Sequence, residues 1–249
     1  MADAGPLEGC TAAIHLSGAN LAARRWTAEY KRELIASRVD STRALAELLA
    51  GLRQRPQTLV VASAVGIYGE RGDEVMDESS APGAGFLADM CRQWEDAARP
   101  AKDAGIRVVY ARFGVTLGRG QGTLKKILPV FRAGLGGRLG SGQQWMSWVN
   151  LQDVVAAIEF VLETPSIVGP VNFTAPHPVR NAEFTQALGR QLHRPVALPA
   201  PAFVLRLALG EMADEALLTS TRAVPAKLLG AGFRFQCATL DEALAVALG

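Results

Sequence analysis

The stretch TLVVASAVGIYG, residues 58–69, decides the fold of this chain. It begins as an apolar, valine-rich run and ends in Ser63, followed by small residues and two glycines. A continuous apolar run of this length predicts a strand that is buried on both faces, which is typical of a parallel sheet. The serine and the glycines predict a polar loop at the carboxyl end of that strand.

Two other stretches have the same construction, an apolar run that leads into small or polar residues. They are TAAIHLSGANLAARRW at residues 11–26 and IRVVYARFGVTLG at residues 106–118. Each predicts a strand, and the strands end at Ser17 and Gly18 in the first stretch and at Arg112 to Gly114 in the second.

The segments between these strands have apolar residues at helical spacing and predict helices over residues 28–51 and 86–98. Strands that alternate with helices predict an α/β fold with a doubly wound parallel sheet. In such a sheet, ligands bind outside the carboxyl ends of the strands, so the three polar strand ends predict one nucleotide-binding crevice. The alternative is that small residues at strand ends only form turns.

The second half of the chain has a different pattern. Further helices are predicted around residues 124–133, from near Asp153, after a cap at Asn181 and from Leu240 onward. The pattern predicts an α/β domain over residues 1–171 and a small, mainly helical lobe over residues 172–249. Residues 115–147 are expected to contribute to the lobe.

Composition narrows the class of protein. The 249 residues are 49% hydrophobic and 20% charged, with a formal net charge of +2, which supports a large core and gives no indication of nucleic acid as a partner. No apolar run approaches the roughly 20 residues of a membrane-spanning helix, so no membrane partner is predicted. The three widely separated cysteines predict no metal site and a reduced, cytoplasmic protein.

Several longer stretches match one known family from about residue 11 to the end of the chain. They are IHLSGAN (14–20), SRVDSTRAL (37–45), SAVGIYGERGDE (63–74), SWVNLQD (147–153), GPVNFTAPHPVRNAEFTQAL (169–188) and PAPAFVLRLALGEMADEALLTSTRAVPAKLLGAGFRF (199–235). In these stretches the chain resembles the atypical extended short-chain dehydrogenases/reductases. The resemblance is to their nucleoside-diphosphate-sugar epimerase-like members, which carry a C-terminal domain of unknown function.

This resemblance implies a Rossmann-like sheet in which residues 1–171 form a partial NAD(P)-binding domain. Family members begin with a strand, a glycine-rich turn and a helix, and AAIHL at residues 12–16 matches their fourth strand. We therefore expect the first βαβ unit to be missing, through either a misassigned start or a functional short form. Since the glycine-rich turn holds the pyrophosphate at a helix N-terminus, we expect the chain as it stands to bind dinucleotide poorly.

The resemblance also implies which residues contact the cofactor. They are Leu16, Ser17 and Gly18 after the first strand, Glu33 and Arg38 on the next helix, and Ser63 and Arg112 at the following strand ends. A guanidinium group suits phosphate because its donors form a planar fork. For Glu33 and Arg38 the alternative is a solvated helix face with ordinary ion pairs. NADP is the expected cofactor, with NAD as the alternative.

The sequence lacks the catalytic pair that is usual in short-chain dehydrogenases. Short-chain dehydrogenases use a Tyr and, four residues later, a Lys that lowers the pKa of the phenol. The corresponding helix reads GAGFLADMCRQWEDAA, residues 83–98, and contains neither residue type. Ser63 is the candidate catalytic serine, with Ala64 as the alternative register. Tyr68 is the nearest phenol and the second catalytic candidate, although a structural role competes.

Other polar and aromatic residues have structural explanations. His15 is predicted to be packed or hydrogen-bonded in the core, Glu78 to lie in a loop, and Asp153 to begin a helix. Trp145 and Trp148 are expected either to form an aromatic wall of the crevice or to pack in the core.

The function implied by the resemblance is an NAD(P)-dependent epimerase or oxidoreductase that acts on an unknown small molecule. The absence of the Tyr–Lys pair favours the alternative of a non-catalytic dinucleotide-binding or sensor protein, and enzymatic activity is left open. A homodimer is also left open, because an apolar edge strand over residues 12–16 would need a cover.

Overall fold

The structure is a computed structural model that describes residues 5–249, and its centre is a four-stranded parallel sheet. The strands are β1 (Ala12–His15), β2 (Thr58–Ala64), β3 (Val75–Met76), β4 (Arg107–Phe113), β5 (Val115–Leu117), β6 (Trp145–Met146), β7 (Trp148–Asn150), β8 (Gly169–Phe173), β9 (Val179–Arg180) and β10 (Arg222–Ala223). The central sheet has the order β1-β2-β4-β8, so the predicted α/β fold with a parallel sheet is confirmed.

The helices are α1 (Ala28–Ala50), α2 (Phe86–Asp96), α3 (Arg99–Asp103), α4 (Gly122–Arg132), α5 (Leu151–Glu163), α6 (Asn181–Leu192), α7 (Ala202–Leu209), α8 (Ala226–Gly230) and α9 (Leu240–Leu248). Two 3₁₀ turns, Gly5–Leu7 and Val65–Tyr68, and a π-helical segment, Ala213–Leu218, complete the elements. None of the helices within residues 5–249 is both long enough and apolar enough to cross a bilayer.

Helices cover the central sheet on both faces, and the alternation of side chains along β2 shows it. Leu59 and Val61 are buried against α1, α2 and α3, whereas Val60, between them, is buried against α5 on the other face. Because successive side chains of a strand point to opposite faces, a strand between two helical layers must be apolar at almost every position. This requirement explains the continuous apolar run in residues 59–62.

The predicted strand over residues 106–118 is two strands that belong to different sheets. β4 lies in the central sheet, and after Gly114 the chain continues as β5, which pairs with β7. A Cβ atom at position 114 would lie 2.6 Å from the carbonyl oxygen of Ser147, so only glycine permits this close approach. The apolar run is continuous across the junction, and this is why the sequence predicted one strand.

Several predicted helix boundaries are also corrected. The helix expected over residues 86–98 ends at Asp96, and α3 begins at Arg99. Asn181 does not cap α6: it is the first residue of the helix, and its Oδ1 accepts from the backbone of Leu139 in the glycine-rich loop. The side chain of Asn181 is therefore used for a tertiary contact.

The C-terminal helices form a separate apolar core with residues from the middle of the chain. Leu124 and Phe131 of α4, Phe184 of α6 and Leu244 of α9 are buried in one cluster that also contains Trp148. The C-terminal part is helical, as predicted.

A buried carboxylate attaches the end of the chain to α5. Asp153 has no exposed surface, and its two oxygens accept from the backbone nitrogens of Gln236 at 2.7 Å and Cys237 at 3.1 Å. Asp153 lies in the first turn of α5 as predicted, and its role is to hold the segment that leads into α9.

Replacing Asp153 with Ala is expected to lower the free energy of unfolding by about 3 kcal/mol, because two buried N–H groups lose a charged acceptor. Chemical denaturation measures this loss. Glu159→Ala is the control, because Glu159 is exposed on the same helix, and it should change stability by less than about 0.5 kcal/mol. Equal losses in the two variants would contradict the assigned role of Asp153.

Candidate functional site

A buried ion pair lies at the carboxyl edge of the central sheet. Ser63 of β2 and Arg112 of β4 are partners in register, and both side chains contact Glu95 of α2. Arg112 donates to the two carboxylate oxygens of Glu95 at 2.8 and 2.9 Å, and Ser63 Oγ donates to the same carboxylate at 2.7 Å. The side chains of Arg112 and Glu95 are only 6% and 13% exposed. Burial opposes the charge of Arg112, and the ion pair outweighs it, so the pKa of Arg112 is raised.

The same network contains Tyr68, which has no exposed surface. Its hydroxyl donates to Asn172 Oδ1 at 2.7 Å and accepts from Arg112 at 3.0 Å. Burial raises the pKa of Tyr68, which opposes ionisation at neutral pH. Tyr68 therefore does not line the crevice in this structure, which fits the structural role that the sequence left open. Its catalytic role stays a prediction.

The network also contains two residues that were predicted to contact the cofactor, Arg112 and Ser63. All three guanidinium nitrogens of Arg112 donate to Glu95 or Tyr68, and its cofactor contact stays a prediction. Ser63 lines the crevice, but its proton is directed to Glu95. Toward a molecule in the crevice, Ser63 Oγ is therefore an acceptor.

The surroundings of Arg38 are different, because this buried cation has no carboxylate partner among the residues that the structure describes. It is 7% exposed and donates only to oxygens of its own segment and the β1 exit: Leu34 O at 3.0 Å, Ser37 Oγ at 3.5 Å and Ala19 O at 2.9 Å. Its Nε is buried without a partner among the described residues. Burial lowers the pKa of Arg38. Arg38 therefore has unused capacity to bind an anion.

The chain after β1 passes directly over Arg38. A Cβ atom at Gly18 would lie 3.1 Å from Arg38 Cζ, so a larger residue at this position would press on the guanidinium. Leu16 and Ser17 precede this contact and are exposed. Glu33 is on the outer side of α1, where it is half exposed and ion-paired with Arg24. The cofactor contacts assigned to these residues stay predictions.

One large cavity adjoins these residues, with a volume of about 500 Å³. The predicted site residues Arg38 and Ser63 line it, as do Leu87, Met90, Cys91 and Trp94 of α2. Its other walls come from α4, α6, the segment 144–147 and the segment 212–221. The cavity therefore lies between the carboxyl edge of the sheet and the helical lobe, where the sequence predicted a crevice.

The positions of the missing Tyr–Lys pair face this cavity with apolar groups. Met90 and Cys91 are both buried and line it. Burial raises the pKa of the Cys91 thiol to about 12, so this cysteine is protonated at neutral pH and is not a nucleophile.

A residue from the C-terminal segment completes the wall. Glu215, in the π-helical segment, accepts from the backbone nitrogen of Leu87 at 3.0 Å and thereby caps α2, whose N-cap Gly85 has no side chain. Gly85 has a φ of 111°, and a Cβ there would lie 2.6 Å from the carboxylate of Glu215. Sequence patterns gave no signal for this pairing, because the two residues are far apart along the chain.

The remaining candidates divide between core and site. Trp145 lines the cavity, whereas Trp148 is fully buried in the core, so each of the two proposed roles holds for one tryptophan. His15 is hydrogen-bonded to Ser41, as predicted. Within residues 5–249, no group of three or more His, Cys, Asp or Glu side chains could hold a metal ion.

Comparison with known proteins identifies the family. Residues 3–172 match the NAD dependent epimerase/dehydratase family, and residues 200–247 match a domain of unknown function, DUF1731. The chain belongs to the NAD-dependent epimerase/dehydratase family, and the expected epimerase-like family with its C-terminal domain is confirmed.

Individual relatives agree with this assignment. An epimerase family protein of Mycobacterium bovis, Mb2239, is 48% identical over 236 residues, which are 95% of this chain and 78% of that protein. The crystal structure of human epimerase family protein SDR39U1 with NADPH superimposes with a TM-score of 0.92 at 33% identity, over 96% of this chain and 81% of the human chain. A nucleoside-diphosphate sugar epimerase from Corynebacterium glutamicum has a TM-score of 0.80 at 35% identity, over 99% of this chain and 48% of that one.

Replacing Glu95 with Gln should lower the free energy of unfolding by about 3–5 kcal/mol, because Arg112 would remain buried without its counter-charge. Chemical denaturation of both proteins gives the difference. The matched control is Asp96→Asn, one residue further along α2, where the side chain is 72% exposed and its ion pair with Arg99 contributes at most about 1 kcal/mol. If Glu95→Gln were as stable as Asp96→Asn, the network would not be structural.

Proposed function

We propose that the chain binds a nicotinamide dinucleotide, NADP in preference to NAD, along the carboxyl edge of the central sheet and uses it on a small molecule in the adjacent cavity. The observation that carries the proposal is Arg38. A buried cation with no carboxylate costs several kcal/mol, and an anion placed beside it offsets that cost. A phosphate group of the dinucleotide is such an anion, and the NADPH in the human relative's crystal structure supports NADP.

The residues that would hold the dinucleotide are Arg38 and the β1 exit at Leu16, Ser17 and Gly18. Gly18 packs against the guanidinium without a side chain, and Arg38 Nε has no protein hydrogen-bond partner in the described part of the chain. When bound, the nicotinamide ring would accept or supply a hydride. Ser63 would contribute by accepting a hydrogen bond from a substrate hydroxyl, because its own proton is directed to Glu95.

The 249 residues are expected to hold the dinucleotide weakly. Within residues 5–249 no strand leads through a glycine-rich turn into a helix, and such a turn supplies the backbone amides that bind pyrophosphate. The glycine-rich segment 134–142 follows α4 and precedes β6 instead. We infer an affinity for NADPH weaker than that of human SDR39U1. Titrating NADPH into both proteins under one condition compares the two values, and equal affinity would contradict the inference.

A second candidate function is non-catalytic binding or sensing of the dinucleotide. The observation in its favour is that the helix α2 offers Met90 and Cys91 to the cavity where a proton-exchanging pair is expected. Turnover of NADPH with any carbonyl substrate would show that the protein is an enzyme.

The three free cysteines are consistent with a reducing cytoplasm.

Replacing Arg38 with Met is expected to weaken NADPH binding by about 1.5–3 kcal/mol, the contribution of a charge-assisted hydrogen bond. The stability of the unliganded protein should stay the same or rise, because a buried, unpaired charge is removed. A titration up to millimolar NADPH, followed by NADPH fluorescence, measures the affinity, and thermal unfolding without NADPH measures the stability.

Arg43→Met is the matched control for that variant, because Arg43 is exposed on the same helix. It should leave NADPH affinity unchanged. If Arg38→Met kept full affinity but unfolded at lower temperature, Arg38 would be a structural residue only. A wild-type chain that bound no NADPH at millimolar concentration would contradict the proposed function itself.

A further inference from the structure

The side chains that line the cavity beside the sheet edge limit the class of substrate that this protein accepts. Its walls are mostly apolar and come from distant parts of the chain. They include Trp94, Ile127, Phe131, Phe184, Met212 and Leu217. Such a wall favours a ligand that loses apolar surface to the protein on binding.

Charge in the cavity is confined to two side chains. Among the described lining residues, only Arg38 and Glu215 are ionisable with a formal charge at neutral pH. The proposed function assigns Arg38 to the dinucleotide. Glu215 is an anion and would repel a second one. A nucleoside diphosphate carries two phosphates, which proteins bind with arginine, lysine or helix N-termini. The remaining part of the cavity has no cation to offer them.

Several polar groups of the wall are already hydrogen-bonded within the protein. Gln144 Nε2 donates to the carbonyls of Leu139 at 3.1 Å and Leu217 at 3.0 Å. Ser147 Oγ donates to the carbonyl of Thr221 at 2.9 Å, and Asn181 Oδ1 accepts from Leu139. These three groups are engaged in the protein, and a sugar hydroxyl left unpaired against the apolar part of the wall would carry a desolvation cost.

One side of the cavity is formed by α2. Cys91 is fully buried at the cavity wall, and burial raises its pKa to about 12, so the thiol offers no charge to a ligand. The guanidinium of Arg38 lies over the ring of Trp94, with 5.2 Å between Cζ and the ring centroid.

We infer that the substrate is a small, uncharged and largely apolar molecule with a single carbonyl or hydroxyl group, and not a nucleotide-linked sugar. This inference rests on the proposed function, because it assigns Arg38 to the cofactor. The polar group of the substrate would be held at Ser63, and its apolar part would contact α4, α6 and the segment 212–217. A cavity of about 500 Å³ accommodates a molecule of one or two rings beside the nicotinamide.

The test measures ligand binding in the absence of any cofactor. Its outcome therefore does not depend on whether the chain binds NADPH. The probes are trifluoromethyl-acetophenone, an uncharged aromatic ketone, and trifluoromethyl-benzoate, its anionic counterpart, both followed by fluorine NMR. UDP-glucose is followed by phosphorus NMR. The ketone is expected to bind the wild-type chain, and UDP-glucose is not. Any binding of the benzoate should be lost in Arg38→Met, whereas binding of the ketone should be kept.

A matched pair of variants on α4 places the ketone in the cavity. Ile127 lines the cavity, and Val130, one turn away on the same helix, is 48% exposed and does not. Ile127→Glu should weaken ketone binding at least about tenfold, because it puts an unpaired carboxylate into the apolar wall. Val130→Glu should leave it unchanged. Should Ile127→Glu fail to fold, Thr123→Glu serves the same purpose, because Thr123 is an exposed residue at the cavity rim.

Three outcomes would overturn the inference. The first is a ketone that does not bind the wild-type chain. The second is ketone binding that survives both cavity variants. The third is UDP-glucose or benzoate binding that is as strong as that of the ketone and persists in Arg38→Met. None of these depends on NADPH, whose binding is judged separately by the Arg38 titration.

Discussion

The arrangement of the strand ends depends on the ion pair between Glu95 and Arg112. Arg112 ends β4, Ser63 ends β2, and both are fixed to one carboxylate on α2. Tyr68 extends the network to Asn172 on β8. Because each of these groups is buried, none can exchange its partner for water without a large desolvation cost. The geometry of the crevice floor is therefore set before any ligand enters.

Above this floor, the crevice has two chemically different parts. On the side of β1, the buried guanidinium of Arg38 has an Nε without a hydrogen-bond partner and pairs with no carboxylate of residues 5–249. On the side of the lobe, apolar side chains dominate, and Glu215 supports the wall by capping α2. An anionic cofactor and an uncharged substrate suit these two parts. This division is the basis of the proposal that an uncharged substrate binds beside the dinucleotide.

Much of the fold was predictable because it follows from local pattern. The apolar run before Ser63 indicated a strand covered on both faces, and α1 begins within the predicted limits, where Thr27 caps it. The catalytic and cofactor residues were harder to assign. Tyr68 and Arg112 are chemically suitable for a crevice, and nothing in their local sequence shows that both are directed into the protein toward Asn172 and Glu95. Glu95 itself occupies an ordinary polar position in an amphipathic helix.

The sequence by itself determined the fold class, the strands that carry polar ends and the family to which the chain belongs, since these depend on periodicity and on motifs within short stretches. Only the tertiary structure decided which polar residues are free to meet a ligand. Arg38 and Arg112 are both arginines beside the same crevice, yet one lacks a carboxylate and the other is paired with Glu95. That difference arises from α2 packing across the ends of β2 and β4, because long-range packing, and not local sequence, places a counter-charge within hydrogen-bond distance.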